Sequence, residues 1–322
     1  MKTSIAMATY NGAKYLQEQL DSFTIQTLHP DELVVCDDCS TDATLSILEN
    51  FRMQAPFVVK IYCNEKNLGF IKNFEKALSL CTGEIIFLSD QDDVWHSEKI
   101  AVMNNHLQHN SNIFVLQADM FLGNEDAKPT NYTQLKNIVA LGHGFIGYFT
   151  GCGMAIRKEW LDIALPIPEK LLSHDNWIHR LAVAINVRDL HTTPLQCYRR
   201  HESNSSNWLA SKPGNISLLD SYRRHGLKDA SLGWENELRR VQETHNRLLE
   251  RMDIINTLGI GKKLPKALEH LNYHIIALKS RIKNSSRPRQ LRVFYTIQMW
   301  FRGDYKYFSG WKSFTKDIIR TK

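Results

Sequence analysis

Three carboxylates fall within four positions at Asp90-Gln91-Asp92-Asp93, directly after the apolar run Ile85–Leu88. Carboxylates this close repel one another unless positive charge sits among them. A divalent cation with a diphosphate behind it supplies that charge, because hard cations take oxygen ligands. The alternative is a solvated acidic turn ahead of the next helix, with Ser97 as N-cap and Glu98 in the first turn. Two earlier stretches are similarly small-polar or acidic, Thr9-Tyr10-Asn11-Gly12 and Asp37-Asp38-Cys39-Ser40. Farther on, Ser173-His174-Asp175-Asn176-Trp177 opens a helical pattern in which Ser173 or Asp175 suits the cap.

The elements that must position these groups follow from periodicity. Thr3–Thr9, Glu32–Cys36, Phe57–Tyr62 and the run after Gly83 read as strands. Helical spacing links them over about 13–26 and 70–81, where Leu16, Leu20 and Phe23 mark the first apolar face, and the Ser/Thr/Asp-rich stretch before Leu45, Ile47 and Leu48 starts a helix after strand two. Four strand–helix alternations with short connections imply a mostly parallel, doubly wound α/β sheet. Strands one, two and four then end on one edge, which makes their loops a single crevice of carboxylates and helix-start N–H groups. No GxGxxG or GxxxxGK[ST] follows strand one, which disfavours a dinucleotide fold or P-loop. Residues 97–109 form a further helix and 112–116 a strand; polar 119–134 reads as a loop or flap.

The 322 residues suit one catalytic domain plus an appendage. Six scattered cysteines and no signal-like or spanning run imply a cytosolic chain with reduced thiols. The formal CxxC at Cys36–Cys39 encloses two aspartates and has no second pair, so it does not read as a zinc site. The formal sequon Asn204-Ser205-Ser206 would stay unused in the cytosol. The net charge of +6 hides an asymmetry: residues 279–322 carry 12 Lys/Arg against 2 Asp/Glu.

Four pieces in series resemble the family-2 glycosyltransferases of GT-A fold: Ser4–Gly12, Val34–Asp42, Asn67-Leu68-Gly69-Phe70 and Gly83–Trp95. The resemblance covers roughly residues 3–205 and implies a Rossmann-like GT-A domain over 1–212; it does not extend to the C-terminal region over 213–322, which Pro213-Gly214 sets off and whose periodicity is helical. It implies transfer of a sugar from a nucleotide-diphospho-sugar, with inversion and with Mn²⁺ or Mg²⁺. By resemblance Asp90-Gln91-Asp92 is the DxD-type motif. Asp92 would reach the metal, and Asp90 would face the ribose or share the metal, leaving Asp93 without a settled role. Asp38, with Asp37, would bond the base; Thr9 and Tyr10 would line the nucleoside pocket, and Lys72 would touch base or phosphate or remain a solvated helix residue. Phe149–Ile156 resembles the family's Gly-rich strand beside the donor sugar, which brings in Gly151. Asp175 stands where the family places its general base. Gln196–Asn204 resembles the family's R-x-H-x-x-N stretch, which makes His201 a candidate at the metal or diphosphate and Arg199 or Arg200 a candidate at phosphate.

In the tail, Leu238–Ile255 and Leu264–Ile282 repeat at helical spacing around Gly259-Ile260-Gly261, which implies a helical hairpin packing on the catalytic domain or on a second copy. Beyond Lys279, basic residues mix with aromatics such as Phe294, Trp300 and Trp311, suiting an anionic bilayer surface or internal packing. Nucleic-acid binding would share that composition but leaves the acidic crevice unexplained. The expected protein is a UDP- or dTDP-sugar transferase, of glucosyl/galactosyl or rhamnosyl type. It would act on a lipid-linked (polyprenyl diphosphate) glycan at the inner membrane face, in O-antigen or capsule assembly. The alternatives are a nucleotidyltransferase and an inactive membrane scaffold.

Overall fold

Ile5-Ala6-Met7, Leu33–Cys36 and Ile85–Leu88 are wholly buried, as continuous apolar runs should be in strands covered on both faces. They form the centre of a seven-stranded sheet in the computed structural model. It describes residues 1–320 except 170, 172, 203, 205–207, 218–219 and 221–230. Ser205 and Ser206 of the sequon lie outside the described residues. Strands β1 (Thr3–Thr9), β2 (Glu32–Asp37), β3 (Val58–Cys63) and β4 (Ile85–Ser89) are parallel in the order β3-β2-β1-β4. Helices α1 (Ala13–Thr24), α2 (Thr44–Arg52) and α3 (Phe70–Leu80) connect them. After β5 (Val94–Trp95) and α4 (Lys99–His109), the chain adds β6 (Val115–Ala118), β7 (Phe121–Gly123), β8 (Pro129–Thr133) and α5 (Gln134–Ala140). It continues through β9 (Met154–Arg157), α6 (Leu161–Ala164), α7 (His174–Ala184), β10 (Arg188–His191) and β11 (Gln196–Tyr198). The large sheet runs β10-β6-β9-β4-β1-β2-β3, with β9 antiparallel to both neighbours; β5-β11-β7-β8 form a second sheet.

Three local readings are corrected, the first two by the second sheet. Residues 119–134 are not a loop: Met120 and Leu122 are buried, and β7 turns into β8 through Asn124–Ala127. The polar composition misled because β8 is an edge strand, and Pro129 at its first residue needs no ladder partner. Helix α4 starts at Lys99 rather than after Ser97, because the His96 N–H still bonds Leu195 O beside β5 and β11. Of Phe149–Ile156, only the part from Met154 is strand; Gly151–Gly153 is a tight 3-10 turn.

The opposite edge of the sheet is tied by Glu32. Its buried carboxylate accepts from Ser4 Oγ (2.6 Å), Thr82 N (2.6 Å), Thr82 Oγ1 (2.8 Å) and Lys60 Nζ (2.6 Å). Burial alone would raise its pKa, but the Lys60, Ser4 and Thr82 bonds outweigh it and hold the group at about 2. A depressed folded pKa adds stability above the unfolded value of 4.5, and that stability is lost as pH falls toward about 2. Glu32→Gln is therefore expected to cost about 2 kcal/mol at pH 7, after a discount for the partly exposed lysine. Urea unfolding at pH 7 and pH 3 checks this; an equal cost at both would sink the linkage.

The chain divides into two compact units, Met1–Leu218 and Leu219–Lys322. The second is helical: α8 (Ser231–Glu250), α9 (Met252–Thr257), α10 (Leu264–Ser285), α11 (Arg289–Phe301) and α12 (Trp311–Ile319). Val241, Leu248, Leu264, Leu271 and Leu278 are buried where α8 and α10 pack. Gly259, at φ 74°, makes the turn between α9 and α10 that a side chain would strain. No helix among the described residues is long and apolar enough to cross a membrane.

Candidate active site

A cavity of about 840 Å³ opens where β1, β2 and β4 end. Four carboxylates line it, Asp38, Asp90, Asp92 and Asp175, and no lysine or arginine does among the described residues.

The loops after β1 and β2 hold each other. Asn11 N donates to Ser40 Oγ (2.8 Å), Gly12 N to Thr44 Oγ1 (2.8 Å) and Ala13 N to Asp42 Oδ2 (3.0 Å). The polar stretch after β2, expected only to start α2, thus also caps α1. The N–H groups of Asn11, Gly12 and Ala13 at that helix start are therefore taken up between the two loops. The Asp38 carboxylate accepts from Leu68 N (2.7 Å), Gly69 N (2.9 Å) and Asn64 Nδ2 (2.8 Å), which docks the Asn67-Leu68-Gly69 turn beside the cavity. Gly69 enters α3 at φ 78°.

The acidic loop is fastened from two sides. Gln91 pairs with the Tyr10 backbone, accepting its N–H (2.9 Å) and donating to its carbonyl (3.1 Å). A Cβ on Gly12 would collide with that amide, which accounts for glycine there. Asp92 Oδ2 lies 2.8 Å from His201 Nε2, and the imidazole packs on Tyr15. Behind the loop Lys99 is wholly buried, 3.6 Å from the Trp95 ring centroid. Its ammonium donates to Cys152 O (2.7 Å) and to Gln196 Oε1, while Gln196 Nε2 donates to Asp93 Oδ2 (3.1 Å). Burial, then the Asp92, Asp93 and Asp175 charges, pushes Asp90 well above the carboxylate range. Burial pushes Asp93 up and Lys99 down in the same way.

Asp175 sits in the first turn of α7, where Ser173 is the N-cap. Its Oδ2 accepts from Gly151 N (3.0 Å), and its Oδ1 from Asn176 N (2.7 Å) and from Ser173 Oγ. The carboxylate is thereby aimed along the same cavity as Asp90 and Asp92.

Residues 4–163 match the profile of glycosyl transferase family 2. The chain belongs to this family. This glycosyltransferase is 29% identical over 273 residues to the dTDP-rhamnosyl transferase RfbG of Shigella flexneri, covering 79% of this chain and 89% of that one. It is 28% identical over 117 residues to the abequosyltransferase RfbV of Salmonella typhimurium, covering 36% of this chain and 35% of that one. Its fold is GT-A. Residues 1–349 of Staphylococcus aureus TarS, solved with UDP-GlcNAc, superpose at TM-score 0.54, with 22% identity and 95% and 89% coverage. The Pyrobaculum calidifontis mannosyltransferase PcManGT, solved with GDP-Man and Mn²⁺, superposes at 0.51, with 15% identity and 99% and 86% coverage.

Of the residues singled out in the transferase sequence, Thr9, Tyr10, Asp38, Asp90, Gln91, Asp92, Gly151 and Asp175 line the cavity. Asp37, Lys72, Arg199 and His201 do not; His201 reaches the site only through Asp92. Asp37 is buried, accepting from Thr9 Oγ1 (2.8 Å) and Ser40 Oγ (2.6 Å), so it braces two strand ends. Lys72 bonds Glu75 (3.1 Å) and Ile167 O (3.2 Å). Arg199 is buried, donating to Asp92 O (2.7 Å), Glu125 O (2.5 Å) and Glu18 (2.7 Å), and so ties the acidic loop and the β7–β8 turn to α1.

Sequence reasoning missed Lys99 and His174. Lys99 shares a helical face with Met103 and Leu107, a lysine on an apolar stripe, and that was its signal. His174 was passed over beside Asp175. It lines the cavity, stacks on Phe74 at 4.1 Å, and both buried ring nitrogens lack a hydrogen-bond partner among the described residues. Burial holds its pKa below the ordinary value, so the ring is neutral, with one donor and one acceptor for a ligand hydroxyl. His174→Phe keeps the stack and removes the unpaired nitrogens. It is expected to keep or raise Tm while weakening the nucleotide-sugar about tenfold relative to the free nucleotide. Calorimetry with both ligands decides; an unchanged ratio would leave His174 a packing residue.

Proposed function

We propose that this glycosyltransferase inverts the donor's anomeric centre as it moves a sugar, of glucose/galactose or rhamnose type, from a UDP- or dTDP-linked donor to a lipid-linked glycan at the inner membrane face in bacterial O-antigen or capsule assembly. The observation that carries the reading is the acidic cavity lined by four carboxylates and no cationic side chain among the described residues. A nucleoside diphosphate entering it would meet only like charge. That fits a divalent cation, Mn²⁺ or Mg²⁺, held by Asp90 and Asp92 with His201 behind Asp92. The buried set Asp90, Asp93 and Cys152 fits less well, since two of its members are fully buried and burial keeps the Cys152 thiol protonated. A bound cation would stabilise charge on the departing diphosphate.

The chain's own residues then divide the work. Asp38, Thr9 and Tyr10 line the end of the cavity assigned to the nucleoside. Gly151, without a side chain, lets the donor sugar approach the backbone that orients Asp175. Asp175 takes the proton of the acceptor hydroxyl as that oxygen attacks opposite the leaving diphosphate. The likeness to RfbG, described as a dTDP-rhamnosyl transferase, supports a dTDP donor. The exposed face of α11, with Leu291, Phe294, Ile297, Trp300 and Phe301, supports contact with a bilayer or with a second copy.

Thermal stabilisation by UDP, dTDP, GDP and CMP, each with and without Mn²⁺, tests the reading. A shift with UDP or dTDP that grows with metal is expected. No metal-dependent shift with any nucleotide would overturn it.

A further inference from the structure

The helical unit contains a cavity of about 520 Å³ of its own. Among the described residues four cationic side chains line it, Arg281, Lys283, Arg292 and Arg320, against two carboxylates, Glu235 and Asp317. Asp317 is committed: it receives Arg281 Nε (2.7 Å) and Nη2 (3.0 Å), the Tyr305 hydroxyl (2.9 Å), and Arg320 Nη1 at 3.6 Å. The Arg281 and Arg320 guanidiniums also lie 4.4 and 5.0 Å from the Trp234 ring centroid. Arg292 is the unusual member. It is 6% exposed, its guanidinium donates to the Arg320 carbonyl, and no carboxylate pairs with it among the described residues. A buried cation without an anion is costly, and the cavity beside it is where an anion fits.

We propose that this cavity binds a phosphate ester. The excess of positive over negative lining charge suits a phosphate better than one carboxylate, and guanidinium forks match phosphate oxygens. The volume leaves room for the esterified group, with Trp234 as an apolar wall. The phosphate is either a lipid headgroup or a small soluble ester. The site shares no residue with the acidic cavity and does not rest on the transfer reaction.

The full chain would be titrated with glycerol 3-phosphate by calorimetry, and sedimented with phosphatidylcholine vesicles with and without phosphatidylglycerol. Arg292→Gln is expected to weaken binding about tenfold, and Lys283→Gln, on the exposed rim, less so, with nucleotide stabilisation unchanged in both. Preference for phosphatidylglycerol vesicles that glycerol 3-phosphate competes away supports the lipid source. Glycerol 3-phosphate binding with no vesicle preference supports the soluble one. The proposal is overturned if the native chain binds neither probe, or if both variants bind as the native chain does.

Discussion

Asp175→Asn is expected to lower turnover about a thousandfold while leaving the thermal shift with nucleotide and Mn²⁺ nearly unchanged. Both parts follow from where the carboxylate sits. It lines the cavity with Asp90 and Asp92 but hangs on α7, fastened by the Gly151 and Asn176 N–H groups. Asparagine keeps the volume but has one oxygen for two backbone donors, so its amide turns an NH₂ toward an N–H and one bond is lost. It also has no basic oxygen to receive a proton at neutral pH. The fold cost is expected to be about 1–2 kcal/mol, the scale of one broken hydrogen bond. Ser173→Ala separates positioning from chemistry: it removes the α7 cap and one support of the carboxylate, so turnover should fall only partly. Loss of nucleotide binding in Asp175→Asn would move the residue from the acceptor side to the donor side.

The parallel half of the sheet was legible because its strands are short, carry apolar centres and are punctuated by loops that cannot extend them. Ile85–Leu88 needs no partner information to be read as buried on both faces. The β5-β11-β7-β8 sheet was not legible: its strands are two to five residues long, and β8 alternates exposed and half-buried positions. Such strands exist only because tertiary pairing holds them, so local propensity carries almost no signal.

At the site, residue type revealed which groups carry charge but not which way they face. Asp37 and Asp38 are adjacent in an otherwise symmetrical pair. The β2 pleat sends one into Thr9 and Ser40, and the turn beyond sends the other to the cavity wall. Arg199 stood in a stretch suited to phosphate, yet its guanidinium is consumed by two carbonyls and Glu18. No pattern within nine residues could reveal partners lying 74, 107 and 181 positions away. Asp93, left open by the sequence, resolves into a buried acceptor for Gln196 and the Arg199 N–H (3.1 Å each), so it shapes the loop that presents Asp90 and Asp92.

That arrangement leads to a crossed expectation for Asp92→Asn. Without metal the variant should be more thermostable than the native chain. After burial, the Asp92 charge is the leading cause of the raised pKa values of both Asp90 and Asp93. Removing it relieves repulsion in a water-poor pocket, while the asparagine oxygen can still accept from His201. With UDP or dTDP present, the ranking should reverse. The Mn²⁺-dependent part of the stabilisation should shrink at least tenfold in apparent affinity, because a neutral amide is a poor ligand for a hard cation. Transfer should fall with it. The two readouts guard against a trivial outcome: a merely misfolded variant would be less stable in both conditions, and a spectator aspartate would leave the metal dependence intact. The gain in stability without ligand is what a site shaped for charge it does not itself carry should give when that strain is removed.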